Sequence, residues 1–340
     1  MLLFQDFSCQ GDEIIALQKQ IKENRLVHAL LICGEPGTGK RSLASLIARS
    51  LVCESGHELA PCNNCDGCRL AIAGEHPDIT VIEKGKSISA DQTKNRTSIP
   101  VGEIREVIRI CNRFSYKSGN RVIIIHHAED MTPHAQNSLL KIIEEPPENN
   151  YFLLTSTHPG QLLTTVRSRC RVIKLKPWDV KDIESALIRK GIDAGMAQKA
   201  AVSSSGSIGK AIRISSDDEY WRIKNDVYRI FFGKIKRSDI LSVSKEWKDR
   251  KQDADRMLDL LEQGVHLLLE YSLGIKEIQY IKEFHENWQH FAVSASPERY
   301  SYLEESIYEA RKQVLSNVNF QAVFEQLLLV FIGESDPWTE

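Results

Sequence analysis

The run Gly34-Glu35-Pro36-Gly37-Thr38-Gly39-Lys40 has the G-x-x-x-x-G-K spacing of a phosphate-binding loop. Glycines let such a loop curl so that successive backbone N–H groups point at phosphate oxygens, and the helix that follows adds the positive end of its dipole. Lys40 is placed to meet the β- and γ-phosphates. The next position should hold Ser or Thr, whose hydroxyl ligates Mg²⁺, but it holds Arg41. A guanidinium has only donors and cannot hold a cation. Ser42 comes one place late, about 100° around the helix.

A second departure lies further on. Arg121-Val-Ile-Ile-Ile125 is a β-branched run of the kind that forms a buried strand. In phosphate-loop NTPases such a strand ends in an Asp that serves Mg²⁺, often followed by a catalytic acid. Here His126 and His127 stand in those places. Imidazoles are poor ligands for Mg²⁺, which prefers oxygen. Adjacent strand residues face opposite ways, so the two histidines are not expected to share a transition metal. Glu129 and Asp130 lie beyond the strand end. No Mg²⁺ site is expected, although Lys40 and the glycines could still hold ATP or ADP without turnover.

Cys53, Cys62, Cys65 and Cys68 form a C-x8-C-x2-C-x2-C pattern among turn-forming residues. Four thiolates suit tetrahedral Zn²⁺, and the x2 spacing lets one turn aim two sulfurs at one ion. A set with no open position would be structural. The plainer alternative is four free buried thiols.

These groups must be positioned by the elements around them. Apolar runs at Ala29–Cys33, 76–82, Arg121–Ile125, 151–157 and 171–175 read as strands, and amphipathic segments between them read as helices. Alternation of this kind means a parallel α/β sheet covered on both faces. Residues 83–99 are polar and read as a mobile loop. A helix from Val101 to about Phe114 carries Arg105, Arg109 and Arg113 at i+4 intervals. With Lys117 and Arg121 they could face a nucleic-acid backbone or form a solvated basic face. Near Pro177 the texture changes, and residues 218–335 read as helical throughout. The expected fold is therefore α/β followed by all-α.

The bulk properties agree. The chain has 340 residues, 42% hydrophobic and 26% charged, with a net charge of -2. That is an ordinary globular composition with room for only a local basic surface. No apolar run approaches the ~20 residues that cross a bilayer, so no membrane association is expected. Eight cysteines without a secretion signal point to a reducing compartment, the cytoplasm.

Further motifs carry a resemblance. His28-Ala-Leu-Leu31 leads into the phosphate loop and the four-cysteine insertion follows it. His76-Pro-Asp78, Ala135-Gln-Asn-Ser-Leu-Leu-Lys141 with Glu144-Glu-Pro-Pro147, and Ser168-Arg-Cys170 come after, in that order. The chain resembles the AAA+ clamp-loader family of the bacterial DNA polymerase III holoenzyme. The resemblance implies a P-loop sheet domain at residues 1–176 with the zinc module at 53–68. It further implies a helical lid at 177–215 and a helical collar domain at 216–340 that assembles with other subunits. It also implies that Arg169 is an arginine finger acting in trans on a neighbouring subunit's ATP. The partners implied are gamma/tau and delta subunits, the sliding clamp and, through the complex, primer–template DNA. Gly209 stands where an ATP-hydrolysing relative would carry a nucleotide-sensing arginine. With Arg41, His126 and His127, this makes the chain similar to a non-hydrolysing subunit rather than the catalytic gamma/tau one. Two other readings remain: an active ATPase with Ser42 and Glu129 or Asp130 in displaced roles, and a nucleic-acid-binding zinc protein with a vestigial loop.

Overall fold

The structure is a computed structural model. It describes residues 3–56, 59–86, 97–113, 115–117, 119–232, 236–248, 250–274, 296–316 and 318–333. Most of the expected 83–99 loop, and residues 275–295 of the helical third, lie outside the described residues. The chain divides into two compact units, Met1–Ser215 and Ser216–Glu340.

The first unit is built on a five-stranded parallel sheet with β1 (Ala29–Cys33), β2 (Ile79–Ile82), β3 (Arg121–Ile125), β4 (Asn150–Ser156) and β5 (Arg171–Lys174), in the order β2-β3-β4-β1-β5. The three inner strands are buried along their whole length, which is why they read as unbroken apolar runs rather than alternating ones. Cys33 lies opposite Ser156, and Ile125 opposite Leu154. The register therefore brings the carboxyl ends of β1, β3 and β4 to one edge, where ligands of open α/β sheets bind.

The helices of this unit are α1 (Asp12–Lys22), α2 (Lys40–Leu51), α3 (Asp66–Ala73), α4 (Val101–Cys111), α5 (Pro133–Glu144), α6 (Thr164–Arg167), α7 (Val180–Arg189), α8 (Ala194–Ser203) and α9 (Ile208–Ile214). α5 starts where its sequence dictates. Thr132 accepts from the Ala135 N–H and Pro133 occupies the first helical position. It ends just before Pro146-Pro147, which cannot continue a helix. Ile104 and Val107 of α4 and Leu139 and Ile143 of α5 pack against Leu31, Ile123 and Phe152 of the sheet. Ile15 of α1 is exposed, and α3 begins within the four-cysteine insertion.

The second unit consists, among the described residues, of α10 (Asp218–Phe231), α11 (Ile240–Trp247), α12 (Ala254–Ser272), α13 (Pro297–Leu315) and α14 (Phe320–Phe331) with short connecting turns. Its core is aromatic. Trp247 stacks on Phe324 at 5.1 Å, and Phe231 meets Phe324 and Phe331 edge-on, the geometry that ring quadrupoles favour.

His76-Pro-Asp78 proves to be structural. The Asp78 side chain is fully buried and accepts from the Tyr116 and Lys117 amides at 2.6 and 2.8 Å, with the Arg121 guanidinium at 3.8 Å. Arg121, itself buried, also donates to the Ile110 carbonyl. Lys117 reaches Glu54 at 2.9 Å and Asp66 at 3.7 Å. Arg121 therefore does not extend a nucleic-acid face, because it is buried within the fold, while Lys117 pairs with acidic groups at the surface. Asp78→Ala should destabilise the chain by about 3 kcal/mol in urea unfolding, since it leaves a buried guanidinium and two amides without their acceptor.

Candidate functional site

At the carboxyl edge of the sheet the phosphate loop spans β1 and α2, as its spacing requires. The loop is satisfied from within. Lys40 is buried, and its ammonium donates to the Gly34 and Glu35 carbonyls at 2.7 and 2.8 Å. Burial lowers its pKa, with the Glu129 carboxylate acting in the opposite direction. Thr38 donates its hydroxyl to Glu35 O. The segment entering α7 and the start of α9 press on the same loop. Trp178 Nε1–H donates to Thr38 O, and the Gly209 N–H to Gly37 O, each at 2.9 Å.

This contact gives Gly37 and Gly209 a steric reason. Gly37 has φ +77°, and a Cβ there would lie 2.0 Å from Ser207 Oγ. A Cβ on Gly209 would meet Gly37 Cα at 3.1 Å, so an arginine at 209 would push against backbone. Gly39, with φ +99°, faces the ring of Phe7. The bonds from Trp178 and Gly209 use loop carbonyls, not loop amides.

Arg41 points away from any metal role. It pairs with Glu83, just past β2, at 2.8 Å, and Lys86 pairs with the same carboxylate. The Lys86 hydrogen bond, then the Arg41 charge, hold Glu83 below the usual carboxylate range against its partial burial. His126 is buried with Nδ1 3.3 Å from Thr155 Oγ1. Burial, with the Arg41 charge second, pushes its pKa down to about 4. His127 turns out in a left-handed conformation, φ 51°, and its N–H donates to Thr155 Oγ1 at 3.2 Å. The two imidazoles do not converge. Thr155, near the carboxyl end of β4, meets the His126 imidazole and the His127 main-chain N–H.

Glu129 follows in a short 3-10 turn, Ala128–Asp130, and is a residue whose environment sequence did not reveal. Its carboxylate accepts from the Thr157 N–H at 2.9 Å and lies 3.7 Å from His127 Nδ1. Burial raises its pKa, but hydrogen bonds led by the Thr157 amide outweigh this and leave it below the usual value.

Arg169 has a different setting. It lies between α6 and β5, with its side chain 37% exposed. One guanidinium nitrogen donates to Thr165 O at 3.0 Å, and another pairs with Glu144. Arg105 and Arg109 lie exposed on α4, where Arg109 pairs with Glu106 at 3.0 Å.

The four cysteines converge. Their sulfurs all lie within 4.8 Å of one another, and Cys62 Sγ and Cys68 Sγ are 3.9 Å apart. Tetrahedral zinc with bonds of ~2.3 Å needs sulfurs about 3.8 Å apart. Backbone amides are turned to the sulfurs: Glu54 and Cys68 N–H to Cys65, Cys62 N–H to Cys53, and Asn64 and Cys65 N–H to Cys62. The Ser55 hydroxyl, followed by the Asn64 and Cys65 amides, draws the Cys62 thiol down to about 6. Donors aimed at sulfur favour the thiolate. Cys65 also caps α3 through the Cys68 N–H. The donor set therefore fits one metal ion held by sulfur alone, a closed site that would staple the insertion rather than supply reaction chemistry.

Two outcomes are expected. Metal analysis of the purified chain should find about one zinc per chain, lost in Cys65→Ser; eight freely titrating thiols would contradict this. In NMR titration His126 should stay neutral down to pH about 4, against about 6.5 for an ordinary histidine. The unfolded chain takes up this proton first on acidification. His126 therefore contributes a loss of stability between pH about 6.5 and about 4, which His126→Asn should remove.

Comparison with known proteins supplies the lineage. Residues 9–179 match the family described as DNA polymerase III, delta subunit. The chain is 28% identical over 320 residues to DNA polymerase III subunit delta' of Bacillus subtilis (strain 168), covering 92% of this chain and 93% of that one. It is 35% identical over 196 residues to DNA polymerase III subunit delta' of Escherichia coli (strain K12), covering 57% and 56%. DNA polymerase III subunit tau of the same organism is 34% identical over 184 residues, 54% of this chain and 27% of tau. A P-loop sheet followed by helices, a family match over half the chain, and a delta-prime relative aligned along most of both chains lead to one conclusion: the chain belongs to the DNA polymerase III delta-subunit family, on its delta-prime side.

Proposed function

We propose that this chain is a clamp-loader subunit that does not hydrolyse ATP and presents Arg169 to the nucleotide of a neighbouring tau/gamma-type ATPase. ATP-dependent assembly with delta and tau/gamma partners opens the sliding clamp on primed DNA, and hydrolysis on the neighbours releases it closed. The second unit supplies the collar through which the subunits join, and Arg105 and Arg109 are the residues offered to DNA. The complex would work in the cytoplasm.

One contrast carries the reading. Lys40 is buried and satisfied by loop carbonyls, whereas Arg169 lies at the surface and, among the described residues, is held by Thr165 O and Glu144. A phosphate site needs unmatched donors, and a trans finger needs a guanidinium that can reach outward. His126 and His127 add no oxygen ligand for Mg²⁺. The cysteine site would hold zinc and serve only as a staple.

A second reading, an active ATPase, is favoured by the buried, ionised Glu129 acting on Lys40. Steady-state ATP turnover by the reconstituted loader separates the two. Arg169→Ala in this subunit should lower total turnover by about the share of the adjoining site, since loss of a trans finger worth about 10³–10⁵ in rate silences that site. Other sites in the assembly dilute the total loss. Lys40→Ala should leave turnover unchanged. A fall with Lys40→Ala would show that this subunit hydrolyses ATP itself.

A further inference from the structure

Two motifs that the proposed role of Arg169 does not use, His28-Ala-Leu-Leu31 and Glu144-Glu-Pro-Pro147, meet beside that residue. His28 Nε2 lies 2.8 Å from the Ile143 carbonyl, which as an acceptor-only group requires Nε2 to carry the proton. This bond fixes the last turn of α5 to the start of β1. The next residue is Glu144, whose carboxylate pairs with Arg169. A third motif ties the same two segments elsewhere. Gln136 Oε1 accepts from the Leu163 N–H at 2.8 Å, while its Nε2–H donates to Met131 O. α5 is thus fastened to the Arg169 segment along its length, through Gln136 near one end and Glu144 at the other.

Glu144 is an unusual choice for its place. It is the last residue of α5, where the helix dipole is negative and an acid is disfavoured. Helix formation does not account for a carboxylate there, but the guanidinium beside it does. Arg169 has a long, flexible side chain whose ordering is entropically costly. Its two anchors, Thr165 O and Glu144, engage two of the guanidinium's five donors. The rest remain for a phosphate.

We infer that Glu144 is the positioning residue of Arg169: anchored through α5 to β1 by His28, it pre-orders the guanidinium for an anionic phosphate on a neighbouring subunit. The inference rests on the trans role proposed for Arg169. Pre-ordering acts on the reaction step more than on ground-state nucleotide binding, so its loss falls on kcat and not on KM.

The test is ATP turnover by the reconstituted loader, at varied ATP, with Glu144→Gln, Arg169→Ala and the double variant in this subunit. Glu144→Gln should lower kcat about two- to fivefold at the adjoining site, the range for a partly exposed ion pair, and lower total turnover by less than Arg169→Ala does. KM should hold, and no further loss should appear in the Arg169→Ala background. Glu145→Gln, the adjacent acid, should have no effect, and thermal unfolding of the Glu144→Gln chain should match the parent. If Arg169→Ala lowers turnover but Glu144→Gln does not, or adds its own loss on top, positioning by Glu144 is overturned while the finger stands. If Arg169→Ala changes nothing, the finger reading fails and takes this inference with it.

Discussion

A buried ammonium must be given acceptors, and how Lys40 finds them shapes the whole upper edge of the sheet. In an open phosphate site that charge is held ready for the ligand. Here it folds onto the Gly34 and Glu35 carbonyls. Trp178 and Gly209 then take the Thr38 and Gly37 carbonyls. Arg41, which could have added to the surplus of positive charge, is drawn off by Glu83. The result is a phosphate loop with its fold intact and its charges matched by the chain itself. Burying a charge without a partner costs far more than burying a polar group, so each of these contacts is part of what allows the loop to be so closely packed.

The same logic explains why the departures occur together. Under the proposed loss of Mg²⁺ ligation at Arg41, an Asp at position 126 would be a buried carboxylate without a metal. A histidine kept neutral by burial satisfies Thr155 instead. Likewise a Cβ at position 209 would crowd Gly37 Cα at 3.1 Å, and glycine lets the two backbones touch. By contrast Arg169 keeps its charge at the surface and is steadied by groups that leave most of its donors open.

Much of this was legible in the chain. The strands, the phosphate loop, the placement of His126 and His127 and the cysteine cluster follow from local pattern and spacing, because short-range sequence determines them. What could not be read depends on long-range contacts. Nothing local pairs Arg41 with Glu83, 42 positions away, or brings Trp178 to Thr38 across 140. Lys117 and Arg121 looked like part of a basic face because periodicity counts charges without their partners. Asp78, Glu54 and Asp66 claim them. Glu129 looked misplaced beyond the strand end, yet the tight turn after β3 brings its carboxylate back to the amide of Thr157, just past β4. The three family motifs were visible as strings, but their meeting around α5 was not.

The most direct test of a retired Mg²⁺ apparatus is equilibrium binding of ATP to the purified chain with and without Mg²⁺. Whatever affinity the loop retains should be the same in both, within about twofold, because Arg41, His126 and His127 offer Mg²⁺ no oxygen side-chain ligand. A tightening of about tenfold or more with Mg²⁺ would contradict this and show that Glu129, Asp130 or Ser42 completes a working metal site.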